Sequence, residues 1–347
     1  MFKKTLATAI ILVCIKSASA QDSTKKPFPL AISGSVDAYY RYSFEDPKLG
    51  GTNNLTSFTN SKNSFELGMA SLKLDHTAGK VSATADLGFG RRAAEFSYND
   101  GTNSLAIVKQ LYVSYAVSDK VKLTMGKWAT HVGYELVDAV ANRNYSMSYM
   151  FSYGPFFHTG LKADIGLGGK SALMVGVANP TDFSTTTSST KVIIAQFSTA
   201  TKNDKLKAYL NYQGGNSPAF KLNQVDLVLT ATLSPKFNIS YDGSVYSVKN
   251  EGSSTKSWFG SALYLNFDPT DKFGLTLRGE YFGDKKAVTT IATDVLAITL
   301  SGNIKLGPLT VVPEVRLDNG KLPMFQKNNG SSTKSASSAI LAVVYKF

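Results

Sequence analysis

The chain ends in Leu341–Phe347, with the sequence LAVVYKF. We interpret this stretch as alternating between two faces, and its last residue is aromatic. Alternation with a period of two is typical of a β-strand with two different faces. A strand crosses a bilayer only within a closed barrel, because lipid cannot satisfy the hydrogen-bonding groups of an open edge. The stretch therefore predicts the closing strand of a transmembrane β-barrel.

The two faces of this strand predict different surroundings. Val343, Tyr345 and Phe347 share one face, which we expect to contact lipid, and the strand should pair with residues 32–44 to close the barrel. The opposite face is apolar from residue 340 to 344, which is unusual for a strand that borders a water-filled lumen.

A signal peptide is predicted over the first twenty residues. Lys3 and Lys4 precede the apolar run Leu6–Ile15, and small residues follow up to Ala20. The apolar run is too short to cross a membrane as a helix. Cleavage would remove the chain's single cysteine and leave a barrel domain over 21–347.

Composition excludes several classes of protein. The chain has 347 residues with a mean hydropathy of −0.07, and no run of 18 apolar residues suggests a transmembrane helix. The 17 tyrosines and 20 phenylalanines favour an all-β protein. The net charge is +12, or +9 without the signal, and it is spread along the chain, so we expect no nucleic-acid partner. The basic excess indicates either scattered solvated charges or a lumen that attracts anions.

Alternating segments recur along the chain, for example at 32–44, 80–89, 205–212, 273–281 and 309–317. Seven short connectors with turn-forming residues alternate with eight longer ones, which include 213–221 and 248–256. This gives 16 strands within a range of 14–18. The pattern predicts an all-β, antiparallel, up-and-down transmembrane barrel with short periplasmic turns, long external loops and both termini in the periplasm. A soluble sandwich or solenoid is the alternative, but neither requires this rhythm of connector lengths.

Three segments fit the alternation poorly. Residues 65–74 shift phase, and both faces are apolar at 259–267 and 296–306. Part of the lumen is packed there, or the register of the strand slips.

A set of residues between about 34 and 180 matches a known pattern. They are Lys109–Tyr115, Leu123–Trp128, Gly133, Glu135, Asn142, Asn144–Ser146, Ser148, Phe151–Pro155 and His158–Gly160, together with Tyr39–Tyr42 and Asn63–Phe65. Over this stretch the chain resembles the putative β-barrel porin-2 (OmpL-like) family of Gram-negative outer-membrane proteins. Members often carry Asn-Gly after the next strand, where this chain has Asn179-Pro180. The resemblance implies a passive pore in the bacterial outer membrane, reached by export through the periplasm.

The longest connector, residues 129–157, follows the fifth strand, where the loop of trimeric general porins folds into the lumen. By analogy, charges on this loop and on lumen-facing strand positions are candidates for a constriction whose field orients polar solutes. The alternative is that the loop covers the barrel mouth and its charges are solvated. The candidate pore-lining residues are Arg41, Lys122, Glu135, Asp138, Arg143, Lys162, Arg278, Glu280 and Arg316.

Six aromatic residues crowd the end of this loop and indicate either loop packing with a membrane-interface girdle or a surface on which sugars stack. They are Tyr145, Tyr149, Phe151, Tyr153, Phe156 and Phe157. Catalysis is not expected, because His76, His131 and His158 lack metal-ligand spacing and no serine motif supports a triad. We expect no metal and no cofactor.

The predicted function is that of a porin through which small hydrophilic solutes diffuse passively, with a mild preference for anions. The alternative is a structural or adhesive barrel with a closed lumen and partner-binding loops. The expected partners are outer-membrane lipids and small solutes, and a homotrimer is compatible with 16 strands.

Overall fold

A computed structural model describes residues 30–45, 51–101, 104–217 and 220–347, and the predicted signal peptide lies outside them. Sixteen antiparallel strands form a closed barrel in which the last strand pairs with the first, which confirms the predicted architecture. The barrel strands are β1 (Leu30–Ser43), β2 (Ser64–Ala78), β3 (Val81–Phe89), β4 (Val108–Ser118), β5 (Val121–Ala129), β6 (Phe157–Gly168), β7 (Ser171–Ala178), β8 (Val192–Ala200), β9 (Leu206–Asn216), β10 (Phe220–Ser234), β11 (Phe237–Asn250), β12 (Lys256–Thr270), β13 (Phe273–Gly283), β14 (Asp294–Leu306), β15 (Leu309–Gly320) and β18 (Ser335–Lys346).

The remaining elements are short and lie in the long connectors. They are β16 (Phe325–Gln326), β17 (Ser332–Thr333), α1 (Arg91–Phe96), α2 (Tyr149–Tyr153) and three 3₁₀ turns at Tyr98–Asp100, Ser104–Ile107 and Ala139–Ala141. Strands β16 and β17 pair with each other as a separate two-stranded sheet. Within the described ranges, we find no helix whose length and apolar character would let it cross a membrane.

Connector length divides the barrel into two ends, which we name the turn end and the loop end. Seven short turns define the turn end, and glycines with positive φ occupy several of them, such as Gly79 (59°) and Gly307 (66°). A residue with a Cβ is disfavoured in this conformation. At the loop end the predicted long connectors 213–221 and 248–256 are wrong, because β9 runs to Asn216 and β11 to Asn250 before the next strand begins.

Side-chain burial follows the predicted alternation. On β1 the odd-numbered residues 35–43 are buried, and the even-numbered residues point outward. The phase shift in β2 is also present: Gly68 and Met69 are both buried, while Phe65 and Leu67 before them and Ala70 after them are exposed. A two-residue step on one face restores the outward position of the apolar side chains that follow.

The closing strand takes the predicted pairing. Leu341 of β18 lies opposite Tyr40 of β1, and the backbone N–H of Phe347 donates to the carbonyl of Gly34 at 3.0 Å. Phe347 is 57% exposed on the outer surface, whereas Ala342 on the inner face is fully buried. The apolar inner face of this strand is therefore covered by something inside the barrel.

The outward face of β14 offers a test of the membrane assignment. Leu300 lies at the middle of the strand with 44% exposure, and Leu306 lies at the turn end. We expect Leu300→Arg to lower the free energy of unfolding by about 2–4 kcal/mol and Leu306→Arg by about 0–1 kcal/mol, because the cost of a charge depends on its depth in the bilayer. Urea unfolding in lipid vesicles measures both, and equal effects would contradict this placement.

Candidate functional site

The connector between β5 and β6, residues 130–156, folds into the barrel, and we name it the inward loop. Glu280 of β13 accepts the backbone N–H groups of Tyr149 and Met150, both at 2.9 Å. A buried loop without a strand partner has N–H groups that need acceptors, and an ionised carboxylate is a strong one. Glu280 therefore fixes the start of α2 against the barrel wall.

A second carboxylate repeats this arrangement two strands away. Glu314 of β15 accepts the backbone N–H groups of Tyr145 at 2.7 Å and Ser146 at 3.0 Å. Beside it, the Asn144 side chain donates to the Ser301 hydroxyl at 2.6 Å. The middle of the inward loop is thus bound to β14 and β15.

The beginning of the inward loop is bound by two aspartates on neighbouring strands. Asp226 of β10 accepts the N–H of Gly133, and Asp242 of β11 accepts that of Tyr134, both at 3.0 Å. Asn211 of β9 donates to Asp226 at 2.6 Å and orients its carboxylate. Anchors on β10, β11, β13 and β15 thus bind the beginning and the middle of the loop to this part of the wall.

Two buried arginines bind loop carbonyls. Arg278 of β13 donates to the carboxylate of Glu135 at 2.5 Å and to the carbonyl of Ser146 at 2.8 Å. Arg316 of β15 donates to the carbonyl of Met147 at 2.6 Å. The candidates Glu135 and Arg278 are therefore in direct contact rather than across open solvent.

The other charged candidates of the loop also bind the wall. Arg143 donates to both carboxylate oxygens of Asp268, at 2.9 and 2.7 Å, and to the hydroxyl of Thr276 at 2.8 Å. Asp138 accepts from the ammonium of Lys109 on β4 at 2.5 Å. These two pairs extend the attachment toward the turn end.

Three predicted basic residues lie elsewhere on the wall. Arg41 of β1 is buried and donates to the carbonyl of Ser61 at 2.6 Å. Lys122 of β5 and Lys162 of β6 both lie near Asp164, at 3.8 and 3.3 Å. Among the ion pairs of the described residues, these two lysines share a single carboxylate, that of Asp164. This part of the lumen is therefore basic.

One arginine that binds the inward loop was not predicted from the sequence. Arg92 of α1 is fully buried, donates to the carbonyl of Val137 at 3.1 Å and lies 4.9 Å from the ring centroid of Tyr145. The hydroxyl of Tyr145 donates to Asp37 of β1 at 2.6 Å. A short helix that begins with paired arginines was the available signal, but its partners lie far away in sequence.

Apolar packing explains the inner faces that appeared unsuitable for a lumen. Inward side chains of β12, β13 and β14 pack around Tyr149 and Met150, and those of β1, β15 and β18 pack around Tyr145. Five of the six crowded aromatics are buried, namely Tyr145, Tyr149, Phe151, Phe156 and Phe157. Loop packing, one of the two hypotheses for these residues, accounts for them.

Cavities lie on both sides of the inward loop. The cavity nearer the loop end has a volume of about 520 Å³ and is bordered by Tyr98, Tyr153 and Asp182. Two cavities of about 220 and 320 Å³ lie nearer the turn end and share Val140 and Lys346. The inward loop lies between these two sides.

Folding brings two of the three histidines together. The rings of His131 and His158 are 5.0 Å apart, and their Nε2 atoms lie 3.1 Å from the carbonyl of Tyr212 and 3.3 Å from the hydroxyl of Thr130. The described residues contain no group of three His, Cys, Asp or Glu side chains that could hold a metal ion.

One carboxylate of the β7–β8 connector fixes the end of the inward loop. Asp182 accepts the backbone N–H groups of Phe156 at 2.7 Å and Phe157 at 2.9 Å, and the hydroxyl of Tyr98 at 3.1 Å. Burial raises the pKa of Asp182 to about 7, although these hydrogen bonds and Lys127 oppose the shift. The folded protein therefore binds a proton at Asp182 more tightly than the unfolded chain does.

A pH dependence follows from Asp182. Because its pKa is higher in the folded state, its contribution to stability is present below about pH 4 and is lost as the pH rises to about 7. We expect the wild type to lose up to about 4 kcal/mol across this range relative to Asp182→Asn. Urea unfolding at several pH values measures the difference, with Asp119→Asn in an exposed turn as the control. Parallel pH profiles of wild type and Asp182→Asn would refute the expectation.

The family described as "Putative beta-barrel porin-2, OmpL-like" matches residues 29–347. No curated protein sequence is significantly similar to the chain.

Several solved structures share the fold. The outer membrane channel DcaP of Acinetobacter baumannii superposes with a TM-score of 0.62 at 11% identity, over 92% of this chain and 97% of that chain. An anion-selective porin from Comamonas acidovorans and the trimer form of OmpT from Vibrio cholerae each give a TM-score of 0.62 at 11% identity, over 92% of this chain and 99% of theirs. At this identity the likeness concerns the fold alone. The family match covers nearly the whole chain, and the chain therefore belongs to the putative beta-barrel porin-2, OmpL-like family and is a porin of the outer membrane.

Proposed function

We propose that the protein lets small hydrophilic solutes diffuse passively through a lumen narrowed by the inward loop. The observation that carries the proposal is the attachment of this loop inside the barrel by wall carboxylates, with cavities on its two sides. A fixed polar constriction passes solutes by size and charge and requires no energy source. The turn end would face the periplasm and the loop end the exterior, as in outer-membrane barrels generally.

A mild preference for anions is the second part of the proposal. Acidic residues of the lumen, such as Glu280 and Glu314, accept hydrogen bonds from the inward loop. Their carboxylate oxygens are therefore occupied by loop N–H groups and are not free to bind a cation. Basic residues remain accessible nearer the turn end, where Lys122 and Lys305 have side chains 53% and 44% exposed. A basic passage raises the local concentration of anions.

Selectivity is measured by the reversal potential in a planar bilayer under a KCl gradient. We expect wild type to favour chloride and Lys122→Gln/Lys162→Gln to shift the reversal potential toward that of potassium, because these variants remove lumen charge without shortening the side chains much. Lys249→Gln changes an outward position at the loop end and serves as the control. Preference of the wild type for potassium would overturn the proposed anion selectivity.

The second candidate is a structural or adhesive barrel with a closed lumen. The observation that favours it is the burial of the inward loop against the wall, where Tyr149 and Trp258 are each 1% exposed. Liposome swelling separates the two functions: a pore admits sugars at rates that fall with their size, and a closed barrel admits none.

The assembly we propose is a homotrimer. Among the structural neighbours, the in-vitro folded OmpT of Vibrio cholerae has a trimer form. Unheated gel electrophoresis with chemical cross-linking tests this assembly, and a monomer at all cross-linker concentrations would exclude it.

A further inference from the structure

We propose that the smaller cavity at the turn end is a binding site for a small oxyanion of the phosphate class. The cavity has a volume of about 220 Å³ and lies between residues 139–143 of the inward loop and the inner faces of β14, β15 and β18. The inference deepens the proposed function, because it names a class of solute and the place where that solute would pause.

The charge of the cavity wall supports an anion. Arg143, Lys305 and Lys346 line the cavity, and none of its described lining residues is acidic. Asp268 lies beside the cavity, accepts two hydrogen bonds from Arg143 and lies 4.0 Å from the ammonium of Lys305. Asp138 borders the neighbouring cavity that shares Lys346, and its carboxylate pairs with Lys109. The three cations of the lining therefore outnumber the acidic side chains among the described residues that line this cavity.

The rigidity of the cavity also supports a site rather than a loose patch of lysines. Arg143 is held by Asp268 and Thr276, and its own carbonyl accepts from Asn303 at 3.0 Å. The loop side is a 3₁₀ turn at Ala139–Ala141. One cation of the wall is therefore fixed in place, while the ammonium groups on the opposite wall can adjust to the ligand.

Donor chemistry selects the class of ligand. Each lysine ammonium carries three N–H donors, and phosphate carries several oxygen acceptors around one centre. The remaining wall includes Thr310, whose side chain can donate, and the apolar side chains of Val312 and Val344. It also includes the amides of Asn142 and Asn303, whose N–H groups already donate to carbonyls of the inward loop. Such a cavity suits a compact multivalent oxyanion better than a sugar, which would need paired donors and acceptors along its ring.

Isothermal titration of inorganic phosphate into the folded barrel in detergent tests the site without requiring conductance. We expect saturable binding by wild type. The affinity for phosphate should fall by about fivefold in Lys305→Gln or Lys346→Gln and by more than tenfold in the double variant. The loss per lysine is modest because water screens the attraction between an exposed ammonium and the anion. Lys249→Gln should bind like wild type, and glucose should not bind.

The outcomes separate this inference from the proposed function. Absence of phosphate binding, or equal binding by wild type and the double variant, would overturn the oxyanion site, even if the protein conducts ions. Phosphate binding by a barrel that conducts nothing would support the site and refute the passive pore. Lys305→Gln lies away from the closing strand, so it reports on the site if Lys346→Gln fails to fold.

Discussion

The double variant Glu280→Ala/Glu314→Ala is expected to conduct roughly twice as much current per channel as the wild type, or more. Each glutamate accepts two consecutive backbone N–H groups of the inward loop, so the two substitutions remove four hydrogen bonds between the loop and the wall. The N–H groups of the inward loop would then form hydrogen bonds with water instead, and the loop would detach from the wall. A detached loop widens the passage and also adds current noise.

Single-channel recording in planar bilayers measures this effect. Glu280→Gln/Glu314→Gln retains an amide oxygen at each position and should give an intermediate conductance. Glu251→Ala, in the exposed β11–β12 connector, is the matched control and should conduct like the wild type. Unchanged conductance in the double alanine variant, with the barrel folded, would show that the inward loop does not set the constriction.

Arg278→Ala is expected to lower the free energy of unfolding by about 3–5 kcal/mol. Arg278 is fully buried and binds the carboxylate of Glu135 and the carbonyl of Ser146. Removing one partner of a buried ion pair leaves an uncompensated charge, which costs more than the pair itself contributes. The double variant Arg278→Ala/Glu135→Ala should therefore be more stable than Arg278→Ala alone.

Urea unfolding with refolding into lipid vesicles measures these free energies. The control is Lys285→Ala, since the side chain of Lys285 is 64% exposed and its ion pair with Asp294 contributes little. If the double variant is as unstable as the sum of its two single variants, Arg278 and Glu135 do not act as a coupled pair.

The barrel was predictable from the sequence because the patterns that indicate it involve residues that are close together along the chain. Alternation in the closing strand, turn residues such as Gly79 and the rhythm of connector lengths each report on a few neighbouring residues. The loop-end connectors after β9 and β11 were predicted too long, because polar residues continue there on strands that extend beyond the apolar band.

The attachment of the inward loop was only partly predictable. Its charged residues Glu135, Asp138 and Arg143 stand out in the sequence, and each forms an ion pair with a residue of the barrel wall. Their partners do not stand out, since Glu314 binds a residue 169 positions away and nothing local distinguishes it from a solvated glutamate. The apolar inner face of β18 was the one sequence signal that something fills that side of the barrel.

The origin of that signal is the packing of Tyr145 and Ala139 against Ile340, Ala342 and Val344. An aromatic side chain from the inward loop removes the seam from water, so the seam needs no polar residues. The closing strand that indicates a barrel thus also indicates where the inward loop is attached.

Single-channel recording of the purified wild-type protein in a planar bilayer tests the central claim most directly. A passive porin with a constriction fixed by the inward loop gives stepwise, long-lived current increments without any added energy source. Bilayers that remain silent after insertion of folded protein would contradict the account and favour a closed barrel.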